Sequence, residues 1–249
     1  MKISAAQELD CWYTKFFASE TNVLDFIAHD PVQFPRRYTR RNDIEIAAFL
    51  AASIAWGRRD LIIRSAQRMF ALMDDSPASF VLAGNYRKLD KACIHRTFFE
   101  GDLKYFCTGF RHCYTKYDNL EKLFSSAPDI WGGISLFREE MAAANRGRYS
   151  KHIAAAGAGS ACKRINLALR WLVRKGPVDL GLWKIPPASL YIPLDVHAAR
   201  TARRLGLLER KSNDRKAVIE LTEKLRQFCP EDPVKYDFAL FGLSAGTPI

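Results

Sequence analysis

The segment Ile44-Glu-Ile-Ala-Ala-Phe-Leu-Ala-Ala-Ser-Ile-Ala-Trp56 would be apolar on every side of a helix, broken only by Glu45 and Ser53. A helix with no polar face must be surrounded by other elements. The chain is therefore expected to wrap further helices around an internal one, and 249 residues are enough to do so. Asp43 stands where it would cap this helix, and Gly57 where it would end it.

Elsewhere apolar residues recur three and four apart, with hardly any sustained two-residue alternation. The expected fold class is all-α: a single domain over residues 1–249, built as a two-lobed helical bundle. Start signals stand at Asp60, Ser76-Pro77, Asp102, Asp129, Ser160, Asp195, Asp214 and Asp232-Pro233. The helix opened by Ser160 is predicted to be amphipathic, to run to Arg174 and to stop at Gly176-Pro177. Pro177, Pro186, Pro187 and Pro193 make residues 177–194 an irregular connection bearing Trp183 and Tyr191.

Thirty-eight Lys and Arg against 27 Asp and Glu give a formal charge of +11. That balance favours a polyanionic partner, though charge alone does not single out nucleic acid. The six cysteines contain no CxxC pair, so neither zinc nor iron-sulfur ligation is expected, and no metal or cofactor is called for. They are read as reduced core residues. No run of about eighteen apolar residues and no signal-peptide pattern is present, so the expectation is a cytoplasmic, nucleoid-associated monomer with no membrane partner.

Two charged residues suggest chemistry. Lys163 falls in the first turn after Ser160, where unpaired helix amides create a positive field and Arg164 stands beside it; both disfavour the ammonium form, as a lysine nucleophile requires. The same amides, with Gly157, Gly159, Ser160 and Arg164, offer a place for a DNA phosphate. Asp195 precedes the next helix, where an aspartate serves as a cap whatever else it does. A lysine nucleophile with a helper carboxylate suits attack on the sugar of a damaged nucleotide. Arg200, Arg203 and Arg204 follow at helical spacing and read either as a phosphate-facing ridge or as a solvated face.

The stretch Leu194-Asp-Val-His-Ala-Ala-Arg200 resembles the region of the catalytic aspartate in the helix-hairpin-helix DNA glycosylases, through Asp195, His197 and Arg200. The Lys163-to-Asp195 separation is similar to that of the archaeal 8-oxoguanine glycosylase branch. Asp237-Phe-Ala-Leu-Phe-Gly242 resembles that branch's late helix, in which an acidic residue and an aromatic one turn on contact the extruded base; Asp237 and Phe241 fit these positions. The resemblance covers mainly residues 155–242. It departs from the superfamily in lacking a Leu-Pro-Gly-x-Gly hairpin before Lys163 and the iron-sulfur cysteines, and in carrying Phe in place of Trp at 241. Nearly end to end, the chain also resembles a bacterial family of unknown function, through segments such as Leu169-Arg-Trp-Leu-Val-Arg174 and Val178-Asp-Leu-Gly-Leu-Trp183.

The glycosylase resemblance implies a substrate, double-stranded DNA holding a damaged base, here an oxidised purine. It also implies a mechanism, in which Lys163 attacks C1′ with help from Asp195 and an imine then permits β-elimination. Trp56 and Arg58 read either as stacking and hydrogen-bonding contacts to the extruded base or as a core indole with a surface guanidinium. Two other classes stay open: a catalytically silent DNA- or RNA-binding protein on the same scaffold, and a helical protein-interaction scaffold.

Overall fold

The computed structural model describes residues 4–245. In chain order its helices are α1 (Ala5–Ala18), α2 (Glu20–Ala28), α3 (Arg41–Ser53), α4 (Arg59–Ala71), α5 (Pro77–Ala83), α6 (Glu100–Tyr117), α7 (Leu120–Ser125), α8 (Ile130–Ala144), α9 (Lys163–Val173), α10 (Val196–Arg204), α11 (Arg215–Phe228) and α12 (Tyr236–Ala245). Short 3-10 turns connect several of them. The chain is all-α as the spacing predicts, apart from an antiparallel hairpin of β1 (Cys93–His95) and β2 (Phe98–Phe99). Strands of three and two residues are too short for alternation to register in the sequence. Among the described residues no helix is long and apolar enough to cross a membrane.

The chain divides into two compact units, one of residues Ile27–Ala155 and one of Met1–Phe26 with Ala156–Ile249. In the first unit α3 is buried along its whole length from Asp43 to Ser53. Phe49 on α3 meets Phe110, Phe124 and Phe137 of α6, α7 and α8 in an aromatic cluster. Asp43 does not cap its own helix, which begins at Arg41. Its carboxylate instead accepts from the Ala78 amide at 2.8 Å, supplying the cap that Ser76 fails to give α5. Glu45, with no exposed surface, accepts from the Tyr114 hydroxyl at 3.0 Å and the Leu120 amide at 3.1 Å, so the polar break in an apolar helix is satisfied from within.

In the second unit α12 packs on α10 and α1. Phe238 of α12 takes Phe17 and Phe26 edge-on. Gly242 lies so close beneath Trp12 that a β-carbon there would come within 1.8 Å of the indole, and only glycine lets the two helices approach this far.

The six cysteines are all free thiols. Cys107, Cys113 and Cys162 are buried as expected, but Cys11 and Cys93 are exposed and Cys229 is half-buried. Burial pushes the Cys113 thiol up to about 12, helped by Glu140, which leaves it inert.

Candidate active site

Helix α9 starts at Lys163, later than the sequence suggests. The Ser160 hydroxyl accepts from the Cys162 amide at 3.3 Å, and Cys162 turns into the left-handed region at φ 49°. This local turn competes with helix and delays its first residue. Ser160 is therefore not the N-cap. It pairs with Asp214 in an isolated bridge, and the Gly159 carbonyl accepts from the Arg215 amide at 2.9 Å. Gly157 and Gly159 are exposed, and a side chain built on either would meet nothing within 4 Å. Arg164 is half-buried, and that burial lowers its proton affinity.

Asp195 is the N-cap of α10, and it divides its two oxygens. Oδ1 accepts from the amides of His197 and Ala198, both at 2.9 Å. Oδ2 lies 3.7 Å from Lys163 Nζ. The lysine side chain is 30% exposed and the aspartate 24%, so both are partly open to solvent. The two residues brought together are the two that the sequence singles out.

Asp237 is buried in the first turn of α12. Its Oδ2 accepts from Arg170 Nη1 of α9. Burial pushes its carboxyl up to about 6, against the pull of Arg170, with Asp195 raising it further and Lys163 lowering it. Asp237 thus lies within electrostatic range of both members of the pair. Phe241, one turn on, is half-buried. His197 is exposed, with Nδ1 3.5 Å from Ser244 Oγ.

Behind Asp237 stands a set of charges that sequence reasoning missed. Arg170 Nε donates to Asp179 Oδ1 at 3.3 Å, and Arg174 Nη1 donates to the other oxygen of the same aspartate. Arg174 also takes Asp232 through Nε at 2.8 Å and Nη2 at 2.8 Å. The Phe238 ring lies 4.2 Å from the Arg170 guanidinium. Burial works against the charge of Arg174, but Asp232 and Asp179 hold it protonated well above the ordinary range. Helix α9 has the amphipathic pattern expected, but its charged side is covered as well: Ala168 to Val173 are buried throughout, Arg170 included. The signal was present in Leu169-Arg-Trp-Leu-Val-Arg174, where two arginines one turn apart interrupt an apolar run. Buried guanidiniums require buried carboxylates.

The three arginines of α10 are each engaged. Arg200 donates to Ser244 Oγ at 3.0 Å. Arg203 is turned onto the loop before α11, donating to the carbonyls of Arg210 and Lys211 and to Asn213. Arg204 pairs with Glu8 at 3.4 Å in an exposed contact. Arg203 is therefore a loop anchor, while Arg200 and Arg204 are exposed residues.

Trp56 and Arg58 belong to the unit of residues 27–155. The half-buried Trp56 indole meets His95 edge-on at 4.9 Å and stacks on His152 at 5.7 Å. Its carbonyl accepts from His95 Nε2 at 2.9 Å. Arg58 is exposed and held by Asp60 at 3.1 and 2.9 Å. Among the described residues no group of three or more His, Cys, Asp or Glu is arranged to hold a metal ion.

No curated protein and no solved structure matches the chain. A family model does, over residues 30–245, a span that includes the Lys163 helix, the Asp195 cap and the buried arginines. The chain belongs to the family described as "Protein of unknown function (DUF2400)".

Proposed function

We propose that this protein is a DNA glycosylase with associated lyase chemistry, acting on duplex DNA that carries a damaged base, an oxidised purine above all. The observation that carries this reading is the 3.7 Å approach of Lys163 Nζ to Asp195 Oδ2, with both side chains partly open to solvent. A polymer with charge +11 supplies the attraction to phosphate. We take its fold as that of the helix-hairpin-helix glycosylases with an altered hairpin, and its place as the cytoplasm, on the nucleoid, as a monomer.

The chemistry follows from these groups. The Lys163 ammonium first loses a proton to solvent, to which its side chain is partly open, and Asp195 Oδ2 stands beside the resulting amine. The amine nitrogen then bonds to C1′ while the bond from C1′ to the base breaks, its electron pair leaving with the base. The Asp195 carboxylate, fixed by two backbone amides, stabilises the positive charge that grows on the sugar. Loss of a second proton and ring opening give an imine at Lys163, from which β-elimination cleaves the strand. The exposed turn at Gly157 and Gly159, with Arg164, Arg200 and Arg204, is the phosphate-facing surface in this scheme, and Asp237, Phe241 and His197 border the base.

The test is borohydride trapping of the full-length protein on duplexes carrying a panel of modified bases. A covalent adduct is expected with at least one lesion and lost in Lys163→Gln, while binding that weakens with salt persists in that variant. Salt-sensitive binding with no adduct on any lesion would make the protein a silent nucleic-acid binder. Absence of binding even at low ionic strength would leave a protein-interaction scaffold.

A further inference from the structure

Arg170 lies in the last turn of α9 and Arg174, four residues on, is the residue that caps its C-terminus, while Asp237 and Asp232 stand opposite them at the start of α12 and the turn before it. Each arginine takes one of these carboxylates, and Asp179 sits between the arginines, giving one oxygen to each. The result is a two-rung ladder with a shared clamp. Three carboxylates meet two guanidiniums, so the set carries one negative charge more than it can neutralise. The surplus falls at the end nearest Lys163 and Asp195, because Asp232 is held by two nitrogens of Arg174. Asp237 is held by one nitrogen of an arginine whose Nε edge is committed to Asp179. A buried carboxyl sharing its cation in this way, with the Asp195 carboxylate within electrostatic range, is suited to holding a proton.

From this geometry we infer that Asp179 is a positioning residue for Asp237: by drawing off part of Arg170 it leaves Asp237 able to hand a proton to the base as that base departs. The inference rests on the reading of Lys163 as the nucleophile. As the Lys163 nitrogen bonds to C1′ and the base leaves with the electron pair, the proton of the Asp237 carboxyl passes to a base nitrogen. The products are a neutral base, a cationic amine adduct and an Asp237 carboxylate that Arg170 then neutralises, so charge balances without another reactant. The assignment also separates two carboxylates that sequence alone leaves alike: Asp195 is held on its capping amides beside Lys163, and Asp237 carries the proton.

The charged groups around Asp237 are Lys163 and Arg170 from α9 and Asp195 from α10. Asp179 acts on Arg170 from the loop after α9. From α1, Asp10 is taken by Tyr236 and Lys235, and Glu8 by Arg204. His197 on α10 faces Ser244.

The experiment uses full-length protein labelled with 13C at aspartate carboxyls, with Asp237→Asn to assign the Asp237 signal. In the wild type the Asp237 carboxyl should titrate near 6. In Asp179→Asn, Arg170 loses its competing partner, and the midpoint should fall by about one pH unit. Above the midpoint the protonated fraction drops about tenfold per unit, so borohydride trapping near pH 7.5 should slow about tenfold while duplex affinity stays within about twofold. The alkaline limb of the trapping profile should move to lower pH in Asp179→Asn and vanish in Asp237→Asn. An Asp237 midpoint and a pH profile that Asp179→Asn leaves in place would overturn the inference while leaving the glycosylase reading intact. Should Asp179→Asn fail to fold, an alkaline limb surviving in Asp237→Asn overturns it equally. Failure of the wild type to trap any lesion defeats the glycosylase reading instead, and takes the proton-transfer role with it, while the titration still decides whether Asp179 governs Asp237.

Discussion

Asp195 serves two partners with two oxygens: Oδ1 closes the first turn of α10 and Oδ2 faces Lys163 Nζ at 3.7 Å. Replacement by asparagine separates these roles, since the amide keeps one capping oxygen and loses the charge. Asp195→Asn is expected to melt within a few tenths of a kcal/mol of the wild type, whereas Asp195→Ala, which loses the cap, should lose about 1 kcal/mol. Trapping on a lesion-bearing duplex should fall on the order of a hundredfold in both. Equal trapping by Asp195→Asn and the wild type would remove Asp195 from the chemistry.

Asp237 makes stability depend on acidity in an unusual direction. Burial pushes its carboxyl up to about 6 in the folded protein, from an ordinary value of 3.8, so between those limits the folded chain holds more protons than the unfolded one. Its contribution to stability is therefore present at pH 4 and lost as pH rises through 6, by on the order of 3 kcal/mol. Asp237→Asn has no such proton to lose. Urea melts across this range should show the stability of Asp237→Asn relative to the wild type rising by about that amount, and a flat difference would contradict the buried, proton-holding carboxyl.

Gly242 tests the packing of α12 on α1. A methyl group there meets the Trp12 ring at 1.8 Å, and one helix must move. Gly242→Ala should cost about 1–3 kcal/mol. Denaturant melts of that variant alone and combined with Trp12→Phe check the cause: a smaller ring should recover part of the loss.

The Asp43 cap joins elements far apart in sequence. Asp43→Ala leaves the Ala78 amide without its acceptor and should cost about 1 kcal/mol. Asp43→Asn should recover most of it, and equal losses in the two variants would point to some other role for the carboxylate.

How much of this was legible depended on the range of each interaction. Caps at Asp129, Asp195 and Asp214 could be read because an N-cap and its amides lie within three residues. Helix α1 escaped notice although Ser4 and Gln7 form a capping box, a local signal that was there to be used. The Ser160 reading failed for a local reason too: its hydroxyl is spent on Cys162, whose left-handed backbone postpones α9. Asp43 failed for a distant one, because its partner Ala78 belongs to another helix. The meeting of Lys163 with Asp195 was anticipated from residue type and resemblance. The interior arginines were not, because a guanidinium reads as a surface group until its carboxylates, which come from two other segments, are known.

The rungs formed by Asp232 and Asp237 also limit which changes in chain length this region can accept. Between the two lies a 3-10 turn, Pro233–Lys235, that gives way to α12, and the backbone advances by about a third of a turn per residue in the first and slightly less in the second. Inserting or deleting one residue there would swing one carboxylate away from its arginine while the other stayed docked. Side chains between them can vary, but the spacing cannot, so length polymorphism should be absent from this stretch in any descendant that keeps both arginines.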